Sequence, residues 1–102
     1  KNRARVVNVV WRKKTLGQLK QIFEYIREHS LESAKKIIND ILDTAENLPN
    51  NPKKFPADKY KLNNDGSFRA FELHNYRVAY QIASNEIRIL RVRHVRMEPL
   101  EF

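Results

Sequence analysis

The sequence contains no cysteine, which excludes disulfide bonds and thiolate metal sites. The sequence has three histidines, His29, His74 and His94, and their spacing is not that of metal ligands. We therefore expect no metal and no other cofactor. No signal peptide is visible, and no apolar run approaches the roughly 20 residues that span a bilayer. These absences predict a cytoplasmic protein that makes no contact with a membrane.

What the sequence does have is positive charge. Lysine and arginine number 20 against 12 acidic residues, for a formal net charge of +8. This balance suits a polyanionic target or an acidic protein partner, although a solvated basic surface is the simpler interpretation. With 102 residues, of which 41% are hydrophobic, we expect one domain over residues 1–102. A domain this small buries a modest core, so a partner that covers part of it would be unsurprising.

The first half of the chain predicts one strand and two helices. A β-branched and aromatic run at Val6–Trp11 indicates the strand. Apolar residues at helical spacing then predict a helix from about Thr15 to Glu28. Ser30 is a suitable N-cap for a second helix, whose apolar stripe runs over Ala34–Leu48 before Pro49 ends it. The short link predicts an antiparallel helical hairpin whose stripes face a core.

The second half of the chain predicts mainly strands. A loop at Asn50–Pro56 is followed by a short predicted strand at Lys59–Leu62 and a strong turn signal at Asn63–Gly66. Short turns then separate three further predicted strands, which are Phe68–Leu73, Tyr76–Ala83 and Glu86–His94. The sequence therefore predicts an α+β fold of order β-α-α-β-β-β, with one more strand if Lys59–Leu62 pairs. The helical hairpin should pack on one face of this small antiparallel sheet.

Alternation along the middle strand assigns its two faces. Tyr76, Val78, Tyr80 and Ile82 form the apolar face that should pack on the helices, and Arg77 points to the opposite, open face. The two tyrosines are accordingly expected in the core.

The register of the last hairpin has two solutions. A two-residue turn pairs Val78 with Arg91 and directs Arg91 and Arg93 into the core. A three-residue turn pairs Val78 with Val92 and directs both arginines to the side of Arg77. The second register is favoured because it buries less charge, and a β-bulge would reconcile the two. Its cost is that two apolar residues fall on the open face, namely Ile87 and Ile89.

The order of these motifs resembles the RelE/ParE toxin superfamily. The resemblance is carried by "FRAFELHNYRVAYQI" at Phe68–Ile82 and "IRILRVRHVRMEP" at Ile87–Pro99. The segment "IFEYIREHSLESAKKIINDILDTAENLPNNP" at Ile22–Pro52 is similar to the helical hairpin of that superfamily. Together these segments span most of the chain. The residues that match the recurring pattern are Arg69, Tyr76, Arg77, Val78, Tyr80, His94 and Arg96.

The resemblance implies a toxin and a partner. RelE-like members of the superfamily cleave messenger RNA on the ribosome, whereas ParE-like members poison DNA gyrase. Both are neutralised by a small antitoxin, so we expect a cognate antitoxin whose acidic, amphipathic segment lies along the helices or the open sheet. The same resemblance implies that operator DNA is bound only through the antitoxin.

A metal-independent nuclease needs a base, an acid and cations in one cleft. By the resemblance, Arg77 would be the cation and His94 the acid or base, with Arg93 or Arg96 on a phosphate. As a target-binding surface the candidates are Arg69, Arg77, Arg91, Arg93, His94 and Arg96. The simpler interpretation is that Arg77 pairs with an acid such as Glu72 and that His94 is a polar packing residue.

Departures from the pattern favour the ParE-like branch. The strand Phe68–Leu73 has none of the lysines of the RelE-like enzymes, and the tail Met97–Phe102 has no tyrosine. The long second helix and the histidine–x–arginine ending are also more similar to ParE. The favoured function is therefore gyrase inhibition, with a ribosome-dependent endoribonuclease as the alternative and a non-toxic basic binding module as a second alternative.

Overall fold

The computed structural model describes residues 7–97. It confirms the α+β fold, with two helices packed on a four-stranded sheet. No helix within residues 7–97 is long and apolar enough to cross a membrane. The elements are β1 (Asn8–Trp11), α1 (Lys13–Arg27), α2 (Leu31–Glu46), a 3-10 turn (Leu48–Asn50), β2 (Phe68–Leu73), β3 (Tyr76–Ile82) and β4 (Glu86–His94).

The helical hairpin forms as predicted. Ser30 caps α2, because its hydroxyl oxygen accepts a hydrogen bond from the amide of Ser33 at 3.1 Å. The acidic Glu32 lies in the first turn of α2, where the helix dipole favours it. The α-helix ends at Glu46, and the chain tightens into the 3-10 turn that contains Pro49. Val6, at the start of the predicted first strand, lies outside the described residues.

The sheet is mixed, which corrects the predicted antiparallel sheet. Its strand order is β1-β4-β3-β2, and β1 runs parallel to β4. The other two pairings, of β2 with β3 and of β3 with β4, are antiparallel. Alternation in a sequence assigns the faces of a strand, but it does not give the direction of that strand relative to a distant one. The parallel pairing therefore had no local signal.

The predicted strand at Lys59–Leu62 is wrong, since this segment forms turns. The segment just before it covers the outer edge of β2 instead. The amide of Asp58 donates to the carbonyl of Phe68 at 2.8 Å, and the amide of Ala70 donates to the carbonyl of Pro56 at 3.3 Å. The Asp58 carboxylate then accepts from the amide of Tyr60 at 3.0 Å, an Asx turn that bends the chain onto the open face.

A β-bulge combines the two predicted registers of β3 and β4. Near the turn Tyr80 pairs with Ile89, and beyond the irregularity Val78 pairs with Val92. The extra residue on β4 is Leu90. The expected exposure of the two isoleucines is therefore wrong, because both Ile87 and Ile89 are buried in the core. Arg93 pairs with Arg77, and Arg91 pairs with Ala79. These pairings confirm the favoured placement of both arginines on the side of Arg77.

The core lies between the helical hairpin and one face of the sheet. Tyr76 and Tyr80 belong to it, as predicted, with 7% and 0% of their surface exposed. The Tyr80 hydroxyl donates to the carbonyl of Pro52 at 2.7 Å. Burial raises the pKa of Tyr80 to about 12, so this phenol stays protonated as a hydrogen-bond donor at neutral pH.

Candidate functional site

Arg77 projects from β3 onto the face of the sheet away from the helices. Its two terminal nitrogens donate to carboxylates, Nη2 to Asp58 Oδ1 at 2.8 Å and Nη1 to Glu72 Oε2 at 2.8 Å. Asp58 is 3% exposed, whereas the Glu72 side chain is 53% exposed. Burial by itself would lower the pKa of Arg77, but the hydrogen bonds to the two acids outweigh it and raise that pKa. Arg77 is therefore a charged residue whose charge is already compensated.

Tyr60 covers Arg77 from the loop. The Arg77 guanidinium carbon lies 4.9 Å from the centre of the Tyr60 ring, and that of Arg93 lies 5.4 Å from it. Arg93 also donates to the carbonyl of Met97 at 3.0 Å. The predicted open face is thus partly closed by a loop held through ion-pair and cation–π contacts.

The structure separates Arg69 from the other candidate arginines. Arg69 pairs with Tyr80 across the sheet, so it has the opposite parity from Arg77. Its guanidinium donates to the carbonyl of Gly66 at 3.0 Å and to that of Phe55 at 2.8 Å. These two bonds hold both ends of the loop to the edge strand.

His94 lies at the end of β4 against a core aromatic ring. Its ring and that of Tyr76 meet edge to face with their centres 5.2 Å apart. Nδ1 of His94 accepts a hydrogen bond from the amide of Arg96 at 3.0 Å, so Nε2 carries the proton when the ring is neutral. Burial, with a smaller contribution from Tyr25, raises the pKa of Tyr76. Tyr76 is therefore a neutral phenol at neutral pH.

The remaining candidates line a groove of about 660 Å³ between α1 and the end of β4. We call it the α1–β4 groove. One wall is a face of α1 formed by Lys14, Gln18, Gln21, Ile22 and Tyr25. The other wall carries the sheet candidates Arg91, Arg93, His94 and Arg96. None of the described residues that line this groove is acidic. The groove is therefore cationic, and part of its lining is apolar.

Several residues of the site were not anticipated. The α1 wall has helical spacing, so its polar and aromatic side chains were visible as one face of the predicted helix. Asp58 is an isolated acidic residue among the lysines of the loop. This isolation was the feature of the sequence that could have indicated an ion pair with Arg77. Tyr60 carried no signal, because nothing local places it on the sheet. Within residues 7–97, no group of three or more histidine, aspartate or glutamate residues has the arrangement of a metal site.

Comparison with solved structures finds the same fold in toxin–antitoxin systems. The chromosomal ParDE TA system from P. aeruginosa matches with a TM-score of 0.70 at 20% identity, over 90% of this chain and 99% of that one. The toxin–antitoxin complex RelBE2 from Mycobacterium tuberculosis matches with a TM-score of 0.62 at 16% identity, over 92% and 97%. The YoeB dimer from Staphylococcus aureus gives 0.56 at 18% identity, over 89% and 98%. At these identities the likeness establishes the fold alone.

Sequence comparison is more selective. No curated protein matches the chain. A family model does match, over residues 9–99, and it describes the ParE toxin of the type II toxin–antitoxin system parDE. The match covers the helical hairpin, the loop and the three-stranded meander. This chain therefore belongs to the ParE toxin family of type II toxin–antitoxin systems.

Proposed function

We propose that this protein inhibits DNA gyrase by binding it, without catalysing a reaction, and that a cognate antitoxin neutralises it. Membership of the ParE toxin family supports the assignment of this protein as a toxin. The fold that it shares with the ParDE and RelBE2 toxin–antitoxin complexes supports an antitoxin as its partner. The observation that carries the non-catalytic assignment is the state of Arg77. Both of its terminal nitrogens are bonded to carboxylates.

Arg77 is poorly suited to stabilise a phosphate in a transition state. A catalytic cation has to direct unpaired donors at the site where negative charge develops. Moving Arg77 to a phosphate would leave Asp58 as a buried, uncompensated charge, which costs about 3–5 kcal/mol. In our proposal Arg77 and Arg69 anchor the loop, and the target is bound by Arg91, Arg93, His94 and Arg96 at the end of β4.

The first test compares two targets in cells. After induction of this protein alone, thymidine and methionine incorporation are followed side by side. Gyrase inhibition predicts that thymidine incorporation falls first, and that purified protein blocks supercoiling by purified gyrase. Replacing both Arg91 and Arg96 by glutamate should abolish these effects, while the same charge change at Lys35 and Lys53, outside the groove, should not. Gyrase left unaffected by folded protein would contradict the proposal.

A ribosome-dependent endoribonuclease is the second candidate. His94 favours it, because an imidazole whose Nε2 can donate a proton lies beside Arg96 and two further arginines in one groove. In that case methionine incorporation falls first, and messenger RNA is cut on ribosomes. His94→Ala should then abolish cleavage while the protein still binds its antitoxin. Harmless expression of folded wild-type protein would instead favour the non-toxic binding module.

A further inference from the structure

A second cavity lies where the start of α1 meets the open face of the sheet, and its volume is about 240 Å³. We call it the Arg12 cavity. Its described lining consists of Arg12, Lys14, Gln18, Phe68, Leu90 and Arg91. Arg12, Phe68 and Leu90 distinguish it from the α1–β4 groove, which they do not line. The proposed target-binding surface does not include these three residues, so the cavity can have a ligand of its own.

Part of the Arg12 cavity is apolar. Phe68 pairs with Gln81 and has the same parity as Glu72, so it lies on the face of the sheet that carries Arg77. Leu90 is the extra residue of the bulge. The side chains of Phe68 and Leu90 are half-buried, and neither is among the residues that form the core. An aromatic ring placed in this way offers contact surface for a ring of a ligand.

The rest of the cavity is cationic. Arg12, Lys14 and Arg91 line it, and none of its described lining residues is acidic. Arg12 and Lys14 are exposed, and neither forms an ion pair with a described residue. The Lys61 ammonium lies 4.6 Å from the centre of the Phe68 ring and adds a fourth positive charge beside the cavity. This arrangement attracts an anion.

Two of these cations are placed where they do not favour the fold. Arg12 is the N-cap residue of α1, and its side chain forms no capping hydrogen bond. The first turn of α1 contains no acidic residue and begins with Lys13 and Lys14. The positive end of the helix dipole disfavours cations at these positions. Conflicts with local stability of this kind are typical of residues that serve a function.

We propose that the Arg12 cavity binds a nucleotide. Its phosphate contacts Arg12, Lys14 and Arg91, and its base lies against Phe68 and Leu90. A guanidinium group donates paired hydrogen bonds to phosphate oxygens. A terminal phosphate carries about −1.5 to −2 charges at neutral pH, which suits several cations around one small cavity better than a carboxylate does. The volume suits one nucleotide, either free or part of a single strand, and excludes a duplex.

The test uses the intact protein and three matched probes, which are adenosine monophosphate, ribose 5-phosphate and adenosine. The second lacks the base and the third lacks the phosphate. Nuclear magnetic resonance titration of the backbone amides measures each affinity and identifies the residues whose signals shift. We expect adenosine monophosphate to bind with shifts at Lys14, Phe68 and Leu90, and the other two probes to bind about fivefold or more weakly. Adenosine that binds equally well would overturn the inference, and so would ribose 5-phosphate that does.

A matched pair of variants locates the site. Arg12→Gln with Lys14→Gln should weaken binding of adenosine monophosphate about tenfold or more. Lys35→Gln with Lys53→Gln makes the same change in net charge outside the cavity and should leave the affinity within about twofold. All four side chains are exposed, and far-ultraviolet circular dichroism checks that both variants are folded. Equal weakening by both would overturn the inference, because attraction would then depend on net charge alone.

Phe68→Leu tests the contact with the base separately. It should weaken adenosine monophosphate about fivefold or more and leave ribose 5-phosphate within about twofold, because only the first probe has a base. A loss that is equal for the two probes would overturn the contact between the base and Phe68.

Two further ligands identify the source of the nucleotide. A short oligothymidine that binds about tenfold more tightly than adenosine monophosphate, and is weakened by the change at Arg12 and Lys14, would place the nucleotide in a single strand. A smaller difference would assign the cavity to a free nucleotide. A short glutamate peptide that binds more tightly than either would overturn the inference in favour of an acidic protein. The assay contains neither gyrase nor antitoxin, so its outcome is independent of the proposed function.

Discussion

At the scale of single residues, the main feature of this protein is the ion pair between Arg77 and Asp58. It joins the middle of the sheet to the loop that follows the helices, and both side chains are largely removed from solvent. Breaking a buried pair is costly because the remaining charge keeps its desolvation penalty and loses its partner. The pair therefore acts as a structural clamp on the loop that carries Tyr60.

Asp58→Ala should lower the free energy of unfolding by about 3 kcal/mol, since Arg77 would retain only its exposed bond to Glu72. The matched control is Glu72→Ala, which removes the exposed partner and should cost less than about 1 kcal/mol. Urea unfolding followed by circular dichroism measures both. Similar losses in the two variants would show that burial of Asp58 does not govern the pair.

Tyr80 gives the protein a pH dependence in alkaline solution. Its pKa rises from an ordinary value near 10 to about 12 in the folded state, because of burial. The folded state therefore disfavours the phenolate. The stability that the neutral phenol contributes is fully present below about pH 10 and is lost as the pH rises towards about 12.

Tyr80→Phe should remove this part of the pH dependence. It should also cost about 1 kcal/mol at neutral pH, because the carbonyl of Pro52 loses its donor. Unfolding free energies measured from neutral pH to about pH 11 provide the check. An unchanged alkaline slope in the variant would show that another group is responsible.

At the scale of elements, α1 and β4 depend on each other. The bulge at Leu90 lets Ile87, Ile89 and Val92 all face the core, although they do not share one parity. The carbonyl of Leu90 accepts a hydrogen bond from outside the sheet, which the hydroxyl of Thr15 in the first turn of α1 donates. The helix thereby stabilises the irregularity that positions the arginines.

Thr15→Val tests this dependence. The side chains have nearly the same shape, so the expected loss of about 1–3 kcal/mol comes from the carbonyl of Leu90, which loses its hydrogen bond from the Thr15 hydroxyl. Thr44→Val is the control, since that hydroxyl bonds within α2, to the carbonyl of Asp40 at 2.8 Å. Chemical unfolding gives both values, and faster amide exchange in the second half of β4 should accompany the first. Equal stability of the two variants would contradict the role of Thr15.

At the scale of the whole molecule, charge is unevenly placed. The net charge is +8, and cationic side chains are concentrated at the α1–β4 groove. None of the described residues that line this groove is acidic. Acidic residues are instead used in internal pairs, such as those of Asp58 and Glu72 with Arg77. This distribution favours rapid capture of an acidic partner at one end of the sheet.

The rate at which the protein binds a short acidic peptide, such as a fluorescent peptide that alternates glutamate with isoleucine, should therefore depend strongly on salt. Raising the ionic strength from about 0.05 M to about 0.5 M should slow association about tenfold, whereas the dissociation rate should change less. Stopped-flow fluorescence measures both rates. A salt effect confined to dissociation would argue against electrostatic steering by this groove.

The sequence by itself determined the helical hairpin, the capping by Ser30, the positions of β2, β3 and β4, and the core placement of Tyr76 and Tyr80. These features depend on periodicity and turn residues within short segments, and the order of motifs likewise indicated the toxin family. The tertiary structure alone decided the parallel direction of β1, the bulge at Leu90, the pairing of Asp58 with Arg77, and the groove between α1 and β4. Each of these depends on contacts between residues far apart in the chain, where packing and charge compensation outweigh any local preference.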